Sequence, residues 1–82
     1  MRLTYHVVLS FDPGSQPSRL IPNEPKEVPS EAAARRMVER LRTMKAGVIA
    51  FSRSGDPETG DWDDAQVIAS YGRIPNEVLA FQ

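Results

Sequence analysis

Ser30-Glu31-Ala32-Ala33-Ala34-Arg35-Arg36-Met37-Val38-Glu39-Arg40-Leu41-Arg42-Thr43-Met44-Lys45 is the stretch on which the reading of the fold turns. Ala34, Met37, Val38, Leu41 and Met44 recur at i, i+3, i+4, i+7 and i+10, the spacing of one apolar helix face. Ser30 stands where an N-cap accepts a hydrogen bond from a free backbone N–H, and Glu31 faces the positive end of the helix dipole. Glu31 and Arg35 form a favourably oriented i, i+4 pair. Gly47, after Lys45 and Ala46, is the expected left-handed residue closing the helix. The spacing therefore predicts an amphipathic helix over residues 30–45.

On its C-terminal side, Val48-Ile49-Ala50-Phe51 reads as a central strand, apolar on both faces. Residues 52–64 follow as an acidic hairpin loop dense in Ser, Gly, Asp and Pro. Trp62 to Tyr71 reads as the returning strand, with Val67, Ala69 and Tyr71 on one face and Trp62, Ile68 and Ser70 on the other. Pro75-Asn76-Glu77 then opens a short helical turn carrying Val78, Leu79 and Phe81.

On the N-terminal side, residues 2–11 alternate. Leu3, Tyr5, Val7, Leu9 and Phe11 share one face; Arg2, Thr4, His6, Val8 and Ser10 share the other. Residues 12–29 hold Pro13, Pro17, Pro22, Pro25 and Pro29, so this Pro-rich segment is a loop or a short edge strand, because proline cannot donate to a ladder. Together these elements predict a single α+β domain over residues 1–82. It has two layers: one main amphipathic helix on a three- or four-stranded mixed or antiparallel sheet, with a short C-terminal helical turn.

The bulk numbers narrow the function. Eighty-two residues, 40% of them apolar, support only a small core. There is no cysteine, which removes disulfides, thiolate catalysis and Cys-type metal sites. The longest apolar run, Ala46 to Phe51, is far short of a membrane span, and the first residues lack a secretory signal pattern. A cytoplasmic location is expected. A net charge of -1 exerts no global pull toward nucleic acid or anionic membrane.

Two charge clusters stand out. Asp56, Glu58, Asp61, Asp63 and Asp64 crowd one loop with Arg53 and Trp62, and these seven residues are the first candidate interaction surface. Carboxylates so grouped suit Ca²⁺ or Mg²⁺, but an EF-hand register from Asp56 puts Asp61 where glycine belongs and Val67 where glutamate belongs. The helix supplies the second candidate: Arg35, Arg36, Arg40, Arg42 and Lys45. A basic face can bind phosphates, although no aromatic platform is interleaved with it. His6 lacks a sequence context for catalysis, and no Gly-Lys-Ser/Thr follows Gly55 or Gly60 to make a P-loop. Ile21-Pro22-Asn23-Glu24 recurs as Ile74-Pro75-Asn76-Glu77, with flanks that do not align, and reads as coincident turn chemistry.

Residues 50–72, from Ala50-Phe51-Ser52-Arg53 through Asp61-Trp62-Asp63-Asp64 to Tyr71-Gly72, resemble a segment of short uncharacterised bacterial proteins. Those proteins also open with a strand like Val7–Phe11 and carry a comparable central helix. The resemblance implies a free-standing bacterial domain and brings no activity, cofactor or site residue. The expectation is thus a non-enzymatic interaction or adaptor domain with a protein partner or a second copy of itself, without catalytic, cofactor or metal residues. The alternatives are nucleic-acid binding by the helix and a small metal or enzymatic site at the acidic hairpin.

Overall fold

The computed structural model describes residues 1–16 and 19–76. Its elements run β1 (Leu3–Pro13), β2 (Leu20–Pro22), β3 (Lys26–Val28), α1 (Glu31–Leu41), β4 (Gly47–Asp56), β5 (Asp61–Trp62) and β6 (Gln66–Gly72). The alternation of β1 carries it through eleven residues, and β4 runs beside it from Phe11↔Gly47 to Leu3↔Gly55. This antiparallel pair is the centre of the sheet. β2 and β3 both pair with β1 on its outer side, and β5 and β6 both pair with β4 on its other side.

The expected two-layer α+β architecture with a main helix on three or four strands does not hold. Among the described residues the chain forms a curled antiparallel sheet of six strands with one short helix, α1, and strand takes 49% of those residues against 16% for helix. Two local effects shift that balance. The prolines break the outer partner of β1 into two short strands rather than abolishing it, with Asn23-Glu24-Pro25 between them. The strand expected to end at Phe51 continues to Asp56, so much of the supposed acidic loop is ladder and the turn is only residues 57–60. The short C-terminal turn, with Val78, Leu79 and Phe81, lies outside the described residues.

The helix starts as its sequence predicts. Ser30 Oγ accepts from the Ala33 N–H at 3.1 Å, and Arg35 Nε meets Glu31 Oε2 at 3.4 Å. It ends early, at Leu41, which leaves Met44 beyond it and 67% exposed. Gly47 is not a helix cap. It opens β4, where an added Cβ would fall 1.7 Å from the Arg73 carbonyl oxygen; across the ladder, Gly72 has φ +74°. Close backbone approach, not a left-handed cap, selects glycine at position 47.

The main core is built from small side chains. Ala34 and Val38 of α1 pack against Val8, Val48 and Ala50, with Val28, Met37, Leu41, Ile68 and Ala69 around them. Alanine and valine let the helix approach the sheet closely. The helix therefore covers the face of β1 that carries Val8 and Ser10, and the stripe Leu3, Tyr5, Val7, Leu9, Phe11 lies on the other face. A bulge in β6 sets Ala69 opposite Ala50 and Val67 opposite Phe51, leaving Ile68 as the extra residue. Ile68 and Ala69 consequently both join the core under the helix, contrary to the strict alternation read from sequence. On the second face Ile49 and Phe11 are also buried, at 1% and 4% exposure.

Candidate interaction surfaces

Of the first candidate set, Arg53 and Trp62 come together with a residue the sequence did not single out, Tyr5. Tyr5 is opposite Arg53 in the β1–β4 ladder, and Trp62 is opposite Gly55 in the β4–β5 ladder. A Cβ at Gly55 would stand 2.4 Å from the indole, so the ring packs directly against the glycine backbone in the space a side chain would take. This cross-strand cover of a glycine by an aromatic ring pins the end of the sheet. Tyr5 and Trp62 have ring centroids 5.6 Å apart, and the Arg53 guanidinium carbon lies 5.7 Å from the Trp62 ring. Arg53 Nε also donates to the Asp63 carbonyl at 3.0 Å. With half-exposed Leu3 and Val67 nearby on the same face, this is an aromatic and arginine patch. Its signal in the sequence was the alternation that puts Tyr5 and Arg53 on one face once β1 and β4 are paired.

The acids do not gather. Asp56 Oδ1 accepts from the Glu58 N–H at 2.9 Å, Asp61 Oδ2 accepts from the Thr59 hydroxyl at 3.2 Å, and Asp63 pairs with Arg2 at 2.5 Å. Among the described residues no three His, Cys, Asp or Glu side chains are grouped to hold a metal ion. The acids serve turn and strand-end chemistry.

The second candidate set is likewise divided. Arg35 is held by Glu31, and Arg42 pairs with Glu39 at 2.9 Å while its guanidinium carbon lies 4.8 Å from the Tyr71 ring centroid on β6. Lys45 reaches the opposite flank and binds Asp12 at 3.1 Å. Arg36 is exposed, and Arg40 lines a cleft beside β3. The helix thus does not present its cations as one stripe.

Two further features escaped the sequence reading. The repeated Ile-Pro-Asn segments converge: Pro22 from the first and Ile74, Pro75 and Asn76 from the second line one cleft with Phe11, Arg19 and Leu20. His6 stands on the helix-facing side of β1, opposite Ser52 and Val28, and its Nδ1 is buried without a hydrogen-bond partner.

The two edges of the sheet differ. On the β1 side, Pro22, Pro25, Lys26 and Pro29 interrupt or charge the outer strand. On the β4 side, Gln66-Val67-Ile68-Ala69-Ser70-Tyr71-Gly72 runs without a proline or a charge, and among the described residues β4 is its only strand neighbour. No helix among the described residues is long and apolar enough to cross a membrane. No family model matches the chain, and no curated protein or solved structure matches it.

Proposed function

We propose that this chain is a non-enzymatic protein–protein interaction module that pairs with a second copy of itself through the free edge of β6. The observation that carries the reading is that, among the described residues, β4 is the only strand paired with β6, so its outer edge has no strand partner. A row of unpaired N–H and C=O groups is a template for another strand, and proteins that do not use such an edge blunt it with proline, lysine or a bulge. One edge of this sheet is blunted by proline and lysine. β6 has neither and carries only the single bulge at Ile68, and its seven residues extend roughly 23 Å, long enough for a ladder.

A second copy suits this edge because antiparallel self-pairing about a two-fold axis sets an uncharged strand against itself, with no like-charge clash. Asp61, Asp63 and Asp64, just before β6, end the pairing there, since two copies sliding into that register would bring carboxylates together. Val67 and Tyr71, 36% and 41% exposed, supply apolar area beside the ladder. Paired in this way, two copies carry their Tyr5, Arg53 and Trp62 clusters on one continuous sheet, and tyrosine, tryptophan and arginine are the residues that most often anchor protein contacts. A cytoplasmic setting suits a chain without cysteine.

Sedimentation equilibrium between about 1 μM and 1 mM tests the reading. A reversible dimer is expected, and Ser70→Lys, which adds a charge at an exposed position of β6, should raise its dissociation constant about ten-fold or more. A wild-type chain that stays monomeric throughout, or a Ser70→Lys dimer as tight as the wild type, would overturn it.

A further inference from the structure

Where the prolines interrupt the outer partner of β1, they leave a space. β3 pairs with His6, Val7 and Val8, and β2 pairs with Phe11, Asp12 and Pro13. Between them Asn23-Glu24-Pro25 bows away, held to the sheet by the Asn23 N–H donating to the Ser10 carbonyl at 2.9 Å. The gap opens on the helix side. The result is a cleft of about 370 Å³ between the broken strand and the C-terminal half of α1, lined chiefly by Ser10, Asn23, Lys26, Met37, Arg40 and Lys45. Its volume falls within the roughly 300–1,000 Å³ of small-molecule sites.

The lining has a direction. Met37 and Leu41 form an apolar wall. At the floor, the Ser10 residue is only 8% exposed, and its Oγ accepts from Asn23 Nδ2 at 3.2 Å, which leaves the hydroxyl proton to donate. Around these stand Lys26, Arg40 and Lys45, against one carboxylate, Glu24. Lys45 is engaged by Asp12, whereas Lys26 and Arg40 make no ion pair among the described residues. The surface cations Arg35 and Arg42, by contrast, both have carboxylate partners on the helix itself.

The geometry points to a binding site in this cleft for a small organic anion, with a phosphate or carboxylate head held by Lys26 and Arg40 and a compact apolar body against Met37 and Leu41. Arg40 offers a planar fork that matches either head group, and Lys26 approaches from the facing wall as a point charge. The Ser10 hydroxyl and the Asn23 amide are the neutral groups placed to fix orientation. Two features oppose an anion: Glu24 and the negative end of the helix dipole near Leu41. They place the head group between the Lys26 ammonium and the Arg40 guanidinium, off the backbone carbonyls of the last helical turn from which Arg40 projects. The site is independent of the β6 edge, which lies on the opposite flank of the sheet.

Amide chemical-shift titration of the full chain at low salt separates the possible ligands, using inorganic phosphate, adenosine monophosphate and hexanoate as probes. Saturable shifts are expected at Ser10, Asn23, Lys26 and Arg40 with at least one organic anion. That anion should bind about ten-fold or more tightly than inorganic phosphate. A Lys26→Gln, Arg40→Gln double variant should weaken it by a further ten-fold or more. Both positions are exposed, and an otherwise unchanged spectrum will show that the variant folds. A phosphate-only ligand set and a carboxylate-only set are told apart by which organic probe saturates. The proposal is overturned if no probe gives saturable shifts in the cleft, if the organic probes bind no better than inorganic phosphate, or if the double variant binds as the wild type does.

Discussion

The two flanks of the central β1–β4 pair were built by opposite means. On the β1 flank, prolines cut the outer strand into β2 and β3 of three residues each, and Asn23 bridges the gap to Ser10. On the β4 flank, β6 runs for seven residues with one bulge and no proline. The first flank exchanges ladder for a cleft and cannot serve as a template for another strand. The second keeps a ladder interrupted only by the bulge, and among the described residues its outer edge has no strand partner. Strand continuity, more than hydrophobicity, separates them, since Ile21 at 54% exposure is the most exposed of the large apolar residues on these outer strands.

Severing the continuous flank should cost most. Gly47→Ala drives a methyl into the Arg73 backbone at the start of the β4–β6 ladder, so a loss of about 3 kcal/mol is expected in urea unfolding. A loss below about 1 kcal/mol would mean the ladder end yields freely and the close approach is not a constraint. Trp62→Ala uncovers Gly55 at the other end of the same flank. Because the ring is only half-buried, about 2 kcal/mol is expected, less than for a fully enclosed ring. An equal loss in a chain already lacking Tyr5 would show that the two rings act independently, which a double-mutant cycle measures.

Association should distinguish the edges directly. Ser70→Lys on β6 is expected to weaken self-association by about 1.4 kcal/mol or more, while Ile21→Lys on β2 leaves it unchanged. If the two substitutions act alike, the edges are equivalent and the contrast fails. The smallest effect belongs to the prolines. Pro25→Ala should lower stability by only about 0.4–1 kcal/mol, by loosening the unfolded chain, with little change in the folded sheet. A larger loss would place Pro25 in the packing of the cleft.

The alternation of residues 2–11 and the cap-to-stripe pattern of residues 30–45 made β1 and α1 legible, because both depend on short-range periodicity, although the helix stops at Leu41, short of Met44. The extent of β4 was not legible. Ser52-Arg53-Ser54-Gly55-Asp56 has the composition of a loop, yet it pairs with Leu3–His6 on one side and, through Gly55 and Asp56, with β5 on the other. Tertiary pairing overrode local propensity there. Of the candidate surfaces, Arg53 and Trp62 were visible as residues. Their meeting with Tyr5 was not, because it requires knowing that β1 and β4 are antiparallel neighbours. The cleft at Ser10 and Asn23 was hidden for the same reason: its residues span 10 to 45 and share no motif.

By itself, then, the sequence determined where a strand, a helix and the prolines must lie, and it excluded cysteine and P-loop chemistry by missing residues. Tertiary structure decided which face of β1 the helix covers. The alternating stripe Leu3, Tyr5, Val7, Leu9, Phe11 has the larger side chains, but the helix settled on Val8, Val48 and Ala50, where small residues let Ala34 and Val38 approach. Helix–sheet packing is a matter of fit between two surfaces, and a single strand's pattern carries only one of them.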